Sequence, residues 1–216
     1  MENITDYTAL YALQDMVLKT VFSAETGFYL SGGTCLHRFY LHKRYSDDLD
    51  FFCNDNSLFR DYLRDAFDLL KSASKHFEIL VDTRDFARLA IDKTLKVDFV
   101  NDRVPRVGHP ALNNEGYKID TVENIISNKI TAILGRDEPK DVFDIVAAAD
   151  CITVNWKSIL DDALQKSMFE KDLLIDRLQS FPVEMLDSLQ ACEDGYISRV
   201  KNKPPDIIDA ILQTYG

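Results

Sequence analysis

Apolar residues recur every three to four positions over residues 7–24, where Leu10, Leu13, Val17, Leu18 and Val21 share one stripe, and this spacing predicts a helix. Phe28-Tyr29-Leu30 reads as a short strand running into Gly32-Gly33. Residues 34–41 then read as helical and 49–53 as extended. Helical spacing returns over 58–74. Strands are expected at 77–82, 86–91 and 95–101, the last two joined by Asp92-Lys93-Thr94. Pro105 and Pro110 mark a loop. From Thr121 the helical period persists to the end, broken at Pro139, Pro182 and Pro204-Pro205. This order predicts an α+β chain. A mixed sheet with flanking helices occupies 1–118, and a helical C-terminal part occupies 119–216, with the boundary near 115–120.

With 216 residues the chain is long enough to bury a real core, and 46% hydrophobic against 28% charged residues excludes disordered and fibrous classes. The net charge of −11 argues against nucleic-acid binding over the whole surface and leaves room for a local basic face. The first 108 residues carry 14 basic against 17 acidic side chains and the remainder 11 against 19, so the excess acid lies mostly in the second half. Cys35, Cys53, Cys151 and Cys192 are widely spaced without a C-x-x-C pair, which predicts reduced thiols. Met1-Glu2-Asn3 lacks a basic secretory start, and no apolar run of about 18 residues is present. A soluble, cytoplasmic protein with no membrane partner is expected.

The most informative stretch is Asp48-Leu49-Asp50-Phe51. In a strand, residues i and i+2 share a face, so Asp48 and Asp50 point one way while Leu49 and Phe51 enter a core. Two like charges so close resist ionisation unless a cation lies between them, and carboxylates suit Mg²⁺. The competing reading is a solvated acidic loop, which Asp47 favours. A third acid tips the balance. Leu95, Val97 and Phe99 alternate with Lys96, Asp98 and Val100, so Asp98 lies on the polar face of a second strand and could complete a cage for two ions.

Two further elements bear on this chemistry. Gly32-Gly33-Thr34 follows a strand and opens a helix, where backbone N–H groups favour an anion; Gly-Gly at such a place is also simply a turn. His37, Arg38, His42, Lys43 and Arg44 form a basic cluster, either a solvated helix face or a rim beside the site. Lys129 falls within the apolar stripe of Val122, Ile125, Ile126, Ile130 and Ile133, with Arg136 near the same direction. It must snorkel to water or meet an anion. Pro139 suits the first position of a new helix. There Asp141 reads as a first-turn acid, and Lys140 with Asp144 as a surface pair four residues apart.

Together, Gly32-Gly33-Thr34, Arg44-x-Ser46-x-Asp48-Leu49-Asp50-Phe51, Asp98 and Lys129-x-x-Ala132-x-x-x-Arg136-x-x-x-Lys140-Asp141-x-x-Asp144 resemble the nucleotidyltransferase AbiEii/AbiGii toxin family. That group includes MenT-type toxins and has the DNA polymerase beta-like nucleotidyltransferase fold. The resemblance covers about residues 28–150. It departs at Lys140, where the family usually has Arg, so a bidentate contact there is weakened.

The resemblance implies that Asp48 and Asp50 bind Mg²⁺ with the nucleoside triphosphate, and that Asp98 helps hold a second ion and readies the acceptor hydroxyl. It implies that Gly32, Gly33 and Thr34 contact the triphosphate, that Lys129 neutralises its charge, and that Arg44, Ser46 and Asp141 complete the nucleotide site. It further implies nucleotide transfer to a tRNA 3′ end by the toxin of a toxin–antitoxin or phage-defence pair, with a cognate antitoxin as partner. Arg84, Arg88, Lys93, Lys96, Arg103 and Arg106 could form a phosphate-tracking groove for such an acceptor. A protein or small-molecule acceptor stands open beside it, as does a non-catalytic nucleotide-binding or protein-interaction module.

Overall fold

The computed structural model describes residues 6–214; Met1-Glu2-Asn3 lies outside them. The chain divides into two compact units. One comprises Met1–Cys35, Asp47–Val104 and His109–Asp120; the other comprises Leu36–Ser46, Pro105–Gly108 and Thr121–Gly216. The division is therefore discontinuous in sequence, with two short upstream segments grouping with the helical C-terminal part.

The first unit opens with α1 (Tyr7–Val21), whose N-terminus is capped by the Asp6 side chain accepting from the N–H groups of Thr8 and Ala9. β1 (Tyr29–Ser31) follows and leads into α2 (Gly32–Leu36). The helix thus starts two residues earlier than its apolar pattern suggests. It continues into a π-helical turn, His37–Leu41, which His42 ends in the left-handed conformation at φ 55°. β2 (Leu49–Asn54), α3 (Phe59–Ala73), β3 (Phe77–Asp82), β4 (Phe86–Ile91) and β5 (Leu95–Asp102) come next. Two short strands, β6 (Ala111–Leu112) and β7 (Lys118–Ile119), have no counterpart in the sequence reading. At two residues each they are too short to show a period.

Among the described residues seven strands form one sheet in the order β3-β4-β5-β2-β1-β7-β6. β2 runs parallel to β5 and antiparallel to β1, and β4 runs antiparallel to β5. The alternation along these strands is complete. Leu49, Phe51 and Cys53 of β2, Ala87, Leu89 and Ile91 of β4, and Leu95, Val97 and Phe99 of β5 are all buried. Phe51 stacks on Phe99 at 5.1 Å, and Phe28 meets Phe99 edge-on at 4.9 Å. Burying these rings, at roughly 25 cal/mol per Å², forces every second residue of β2, β4 and β5 onto the opposite face. That face carries Asp50, Asp98 and Arg88.

The second unit is built from α4 (Val122–Ile133), α5 (Pro139–Cys151), α6 (Trp156–Lys166), α7 (Lys171–Ser180), α8 (Tyr196–Lys201) and α9 (Pro204–Gln213), with a 3₁₀ turn at Val183–Ser188. Thr121 caps α4 by accepting from the Asn124 N–H, and Pro139 and Pro204 open α5 and α9 where a missing N–H does no harm. Val122, Ile125, Ile126, Ile130 and Ile133 are buried as the stripe predicts. Lys166 ties the end of α6 to α4, its Nζ donating to Asn124 Oδ1, Ser127 Oγ and Asn128 Oδ1, each at 2.6 Å. Among the described residues no helix is long and apolar enough to cross a membrane.

Candidate active site

In the first unit, Asp50 on β2 is the direct register partner of Asp98 on β5, and Asp98 is in turn the partner of Arg88 on β4. On the other side Ser31 of β1 faces Asp50. Four adjacent strands thus present Arg88, Asp98, Asp50 and Ser31 in one row. Asp48 lies two residues before Asp50, where Thr34 Oγ1 donates to its backbone carbonyl. Ser31 is buried and donates its hydroxyl to Asp120 Oδ2 at 2.6 Å, a buried carboxylate that the sequence reading passed over.

Gly32 adopts φ +70°, and a Cβ built on it would collide with Asp50 Oδ2. The glycine is required for two separate reasons: its left-handed backbone, and the close approach of a carboxylate to bare main chain. Gly33 and Thr34 are buried beside it.

The acids are not left bare. Arg88 Nε and Nη2 donate to Asp98 Oδ1 and Oδ2 at 2.8 and 2.7 Å, a two-pronged pair, and Lys96 Nζ stands 3.4 Å from Asp48 Oδ1. The Asp98 hydrogen bonds raise the Arg88 pKa above its usual value against the cost of desolvation, with help from the charges of Asp98, Asp48 and Asp50. All three carboxylates therefore act on one guanidinium. Asp50 on β2, Asp98 on the neighbouring β5 and Asp48 just before β2 are hard oxygen donors, a set whose chemistry fits Mg²⁺. As the side chains stand, no three His, Cys, Asp or Glu groups among the described residues gather closely enough to hold an ion. Asp98 and Asp48 have the cations of Arg88 and Lys96 as partners instead.

The basic surplus of residues 84–109 is largely committed in the same manner. Besides Arg88 and Lys96, Arg103 pairs with Asp55 at 2.7 Å and with Asp85 at 2.8 Å. The expected groove is thus an ion-pair lattice along much of its length. Arg84 and Lys93 remain exposed.

The remaining residues singled out from the sequence lie in the second unit, where they meet one another. Asp144 is fully buried. It accepts from Arg44 Nε at 2.7 Å and Nη2 at 3.0 Å, from His37 Nε2 at 2.8 Å, and pairs with Lys129 Nζ at 2.9 Å. Lys129 also donates to Asp141 Oδ1 at 2.8 Å, and Arg136 reaches Asp141 Oδ2 at 2.8 Å through Nε. Ser46 is buried as well.

Several expectations change accordingly. His37 and Arg44 are interior partners of Asp144 and not part of a basic rim. Asp141 is the first-turn acid of α5 that the sequence predicts, and it is buried. Asp144 is no surface mate of Lys140. Lys129 does meet an anion, but that anion is a pair of carboxylates from its own chain. One physical rule covers these placements: a charge enters the interior only with compensation.

The electrostatics follow from this packing. Burial alone would raise Asp144, but the charges of Arg44 and Lys129, with the hydrogen bond from His37, outweigh it and hold the carboxyl well below the usual range. Burial would likewise lower Lys129, yet Asp144 and Asp141 raise it overall. His37 goes the other way, because desolvation, with Arg44 and Lys129 nearby, exceeds the pull of Asp144 and lowers its pKa. His37 is therefore neutral at pH 7, with Nε2–H donating to Asp144 and Nδ1 accepting from the Lys43 N–H at 3.4 Å.

Known structures share this fold. JHP933 from Helicobacter pylori superposes with a TM-score of 0.65 at 22% identity, over 98% of this chain and 94% of that one. A second H. pylori protein, a candidate nucleotidyltransferase, gives 0.54 at 23% identity over 93% and 84%. No curated protein matches the chain. The profile of one family, the nucleotidyl transferase AbiEii toxins of type IV toxin–antitoxin systems, matches residues 17–209. With the Gly-Gly turn, the paired strand carboxylates and the Lys129–Asp144 helices all inside that span, the chain belongs to the AbiEii nucleotidyltransferase toxin family.

Proposed function

We propose that the acidic strand face of the first unit is a Mg²⁺-dependent nucleotidyl transfer centre. The observation that carries this reading is the direct register of Asp50 with Asp98, beside a glycine that leaves the Asp50 carboxylate against open backbone. An acceptor hydroxyl oxygen forms a bond to the α-phosphorus of a nucleoside triphosphate, the α–β bridging bond breaks, and pyrophosphate leaves. Asp48 and Asp50 would hold the metal that accompanies the triphosphate, and Asp98 would share a second ion. The metal supplies charge neutralisation and polarisation of the phosphoryl oxygens when bound. Asp98 accepts the proton of the attacking hydroxyl. Gly32 and Gly33 let the triphosphate approach the main chain, and Thr34 fixes the segment bearing Asp48 through its carbonyl.

The family resemblance assigns Lys129, Arg44, Ser46 and Asp141 to the nucleotide. In this reading Lys129, Arg44 and Asp141 first serve the helical unit, joining α4, α5 and the segment 36–46 through buried charge pairs. The acceptor is a tRNA 3′ end and the cellular partner a cognate antitoxin, both on the strength of the family. Exposed Arg84 and Lys93 offer positive charge to an RNA backbone.

The test incubates the purified protein with Mg²⁺, each labelled triphosphate in turn and total tRNA, alongside Asp48→Ala and Asp50→Ala. Label on RNA with the unaltered protein alone is the expected result. Label on the protein itself would redirect the acceptor. Mg²⁺-dependent triphosphate binding without transfer to any acceptor would favour a non-catalytic nucleotide-binding module.

A further inference from the structure

The row of polar side chains across the sheet does not end at Ser31. β1 lies between β2, where Asp50 is the register partner of Ser31, and the parallel β7, where Ile119 is the partner of Leu30. Asp120 follows β7 and holds the end of β1 by bonds to two consecutive residues. Its backbone N–H donates to the Leu30 carbonyl at 2.8 Å, and its Oδ2 accepts from the Ser31 hydroxyl at 2.6 Å. Beyond the glycine turn, the Cys35 thiol donates to the Asp120 carbonyl at 3.9 Å. One residue thus fastens the chain immediately before and immediately after Gly32-Gly33-Thr34. Asp120, Ser31 and Cys35 are all buried. Any residue but proline at position 120 would supply the backbone bond. The link to Ser31 needs a side-chain acceptor, and an interior carboxylate is a costly one. A hydroxyl has a single proton to give, so this bond also fixes the direction of Ser31 Oγ.

We propose that Asp120 is a positioning residue for the triphosphate: by holding Ser31 it sets the main chain of the Gly32–Thr34 turn that receives the phosphates. Gly32 comes directly after Ser31, turns at φ +70° and lies against Asp50, so the turn starts from the point that Asp120 holds. Without the Ser31 bond the turn loses its fixed start, and its N–H groups must be ordered at the expense of binding energy. This inference rests on the reading of the acidic face and its glycine turn as a nucleotidyl transfer centre.

The test is calorimetric titration of the full chain, in Mg²⁺, with inorganic tripolyphosphate and with each of the four ribonucleoside triphosphates. Ser31→Ala is expected to weaken tripolyphosphate and the preferred triphosphate by the same factor, about tenfold, the scale of one buried hydrogen bond. Equal losses with and without the nucleoside put the defect at the phosphates, a pattern that general loosening of the fold does not produce. Asp120→Ala should weaken both ligands as well, and adding Ser31→Ala to it should cost nothing further. That cycle isolates the Ser31–Asp120 link from every other contact either side chain makes. Thermal melts check folding, and if Asp120→Ala does not fold, Ser31→Ala alone decides. Unchanged affinities in Ser31→Ala, additive losses in the double variant, or an unaltered protein that binds a nucleoside triphosphate but no tripolyphosphate would each overturn the proposal and leave the transfer centre standing. If the unaltered protein binds neither tripolyphosphate nor any triphosphate, both readings fall.

Discussion

Gly32 presses against the carboxylate of Asp50 with no space for a methyl group between them. Its φ of +70° adds a second constraint, since an L-residue there loses roughly 1–2 kcal/mol. Gly32→Ala is therefore expected to lower stability by about that amount. It should also cut nucleotidyl transfer by about 100-fold, because the displaced Asp50 no longer holds its place. Gly116 provides the control. It has φ +80° and nothing within 4 Å of a built Cβ, so Gly116→Ala should share the backbone cost and keep the activity. Urea denaturation and labelled-triphosphate assays on the two variants distinguish strain from displacement, and equal activity loss in both would refute the argument.

Asp144 holds the second unit together by charge. Removing it strands Arg44 and Lys129, both largely enclosed, without their shared carboxylate. Asp144→Ala should therefore destabilise the protein by about 3–5 kcal/mol. The exposed pair Lys157–Asp161, at i,i+4 on α6, makes the comparison: Asp161→Ala should change stability by less than about 0.5 kcal/mol. Chemical denaturation reads both, and similar effects for the two would mean that burial does not govern the charge cluster.

The four thiols divide by burial. Cys35 and Cys53 lie in the core, and burial pushes the Cys53 thiol up to about 11; Cys151 and Cys192 are exposed, though partial burial raises them too. Iodoacetamide at neutral pH should label Cys151 and Cys192 slowly and spare the other two. Peptide mapping by mass spectrometry decides this. Rapid labelling of Cys53 would show that the sheet unit opens readily.

What the sequence discloses here is what a local period can carry. The alternation of Leu95, Val97 and Phe99 with Lys96, Asp98 and Val100 is visible because one sheet face must be apolar, and it alone orients Asp98. The glycine turn before Asp48 and Asp50 is legible for a similar reason, as the tight approach at Gly32 leaves a compositional mark. The partners of those acids leave none. Arg88 and Asp98 are ten residues apart, and only the antiparallel register of β4 and β5 makes them neighbours. Asp144 and Arg44 are one hundred residues apart, and no spacing rule predicts that a helix acid will draw in an arginine, a histidine and a lysine. The apolar run Ile79-Leu80-Val81 forms the bulged, exposed edge of the sheet, a place that its strand pattern over 77–82 does not reveal.

The buried histidine gives the protein a predictable acid response. His37 faces Asp144 through Nε2, the Lys43 N–H through Nδ1 and the ring of Phe143, with the charges of Arg44 and Lys129 nearby. Its folded pKa lies below the unfolded value of 6.5, so the unfolded chain takes up the proton more readily than the folded one. The stabilising contribution is therefore complete above about pH 6.5 and declines as the pH falls toward the folded value, by at most about 1.4 kcal/mol per pH unit. Asp144, also lowered, loses its contribution in the same direction but only once the pH drops below its unfolded value of 3.8. Lys129 is raised, so its share is complete below 10.5 and is lost as the pH climbs beyond that. Urea midpoints at pH 7.5 and 5.5 should therefore differ for the unaltered protein. The difference should shrink in His37→Gln, which keeps a donor for Asp144 but cannot titrate. An undiminished difference in that variant would assign the acid sensitivity to groups other than His37.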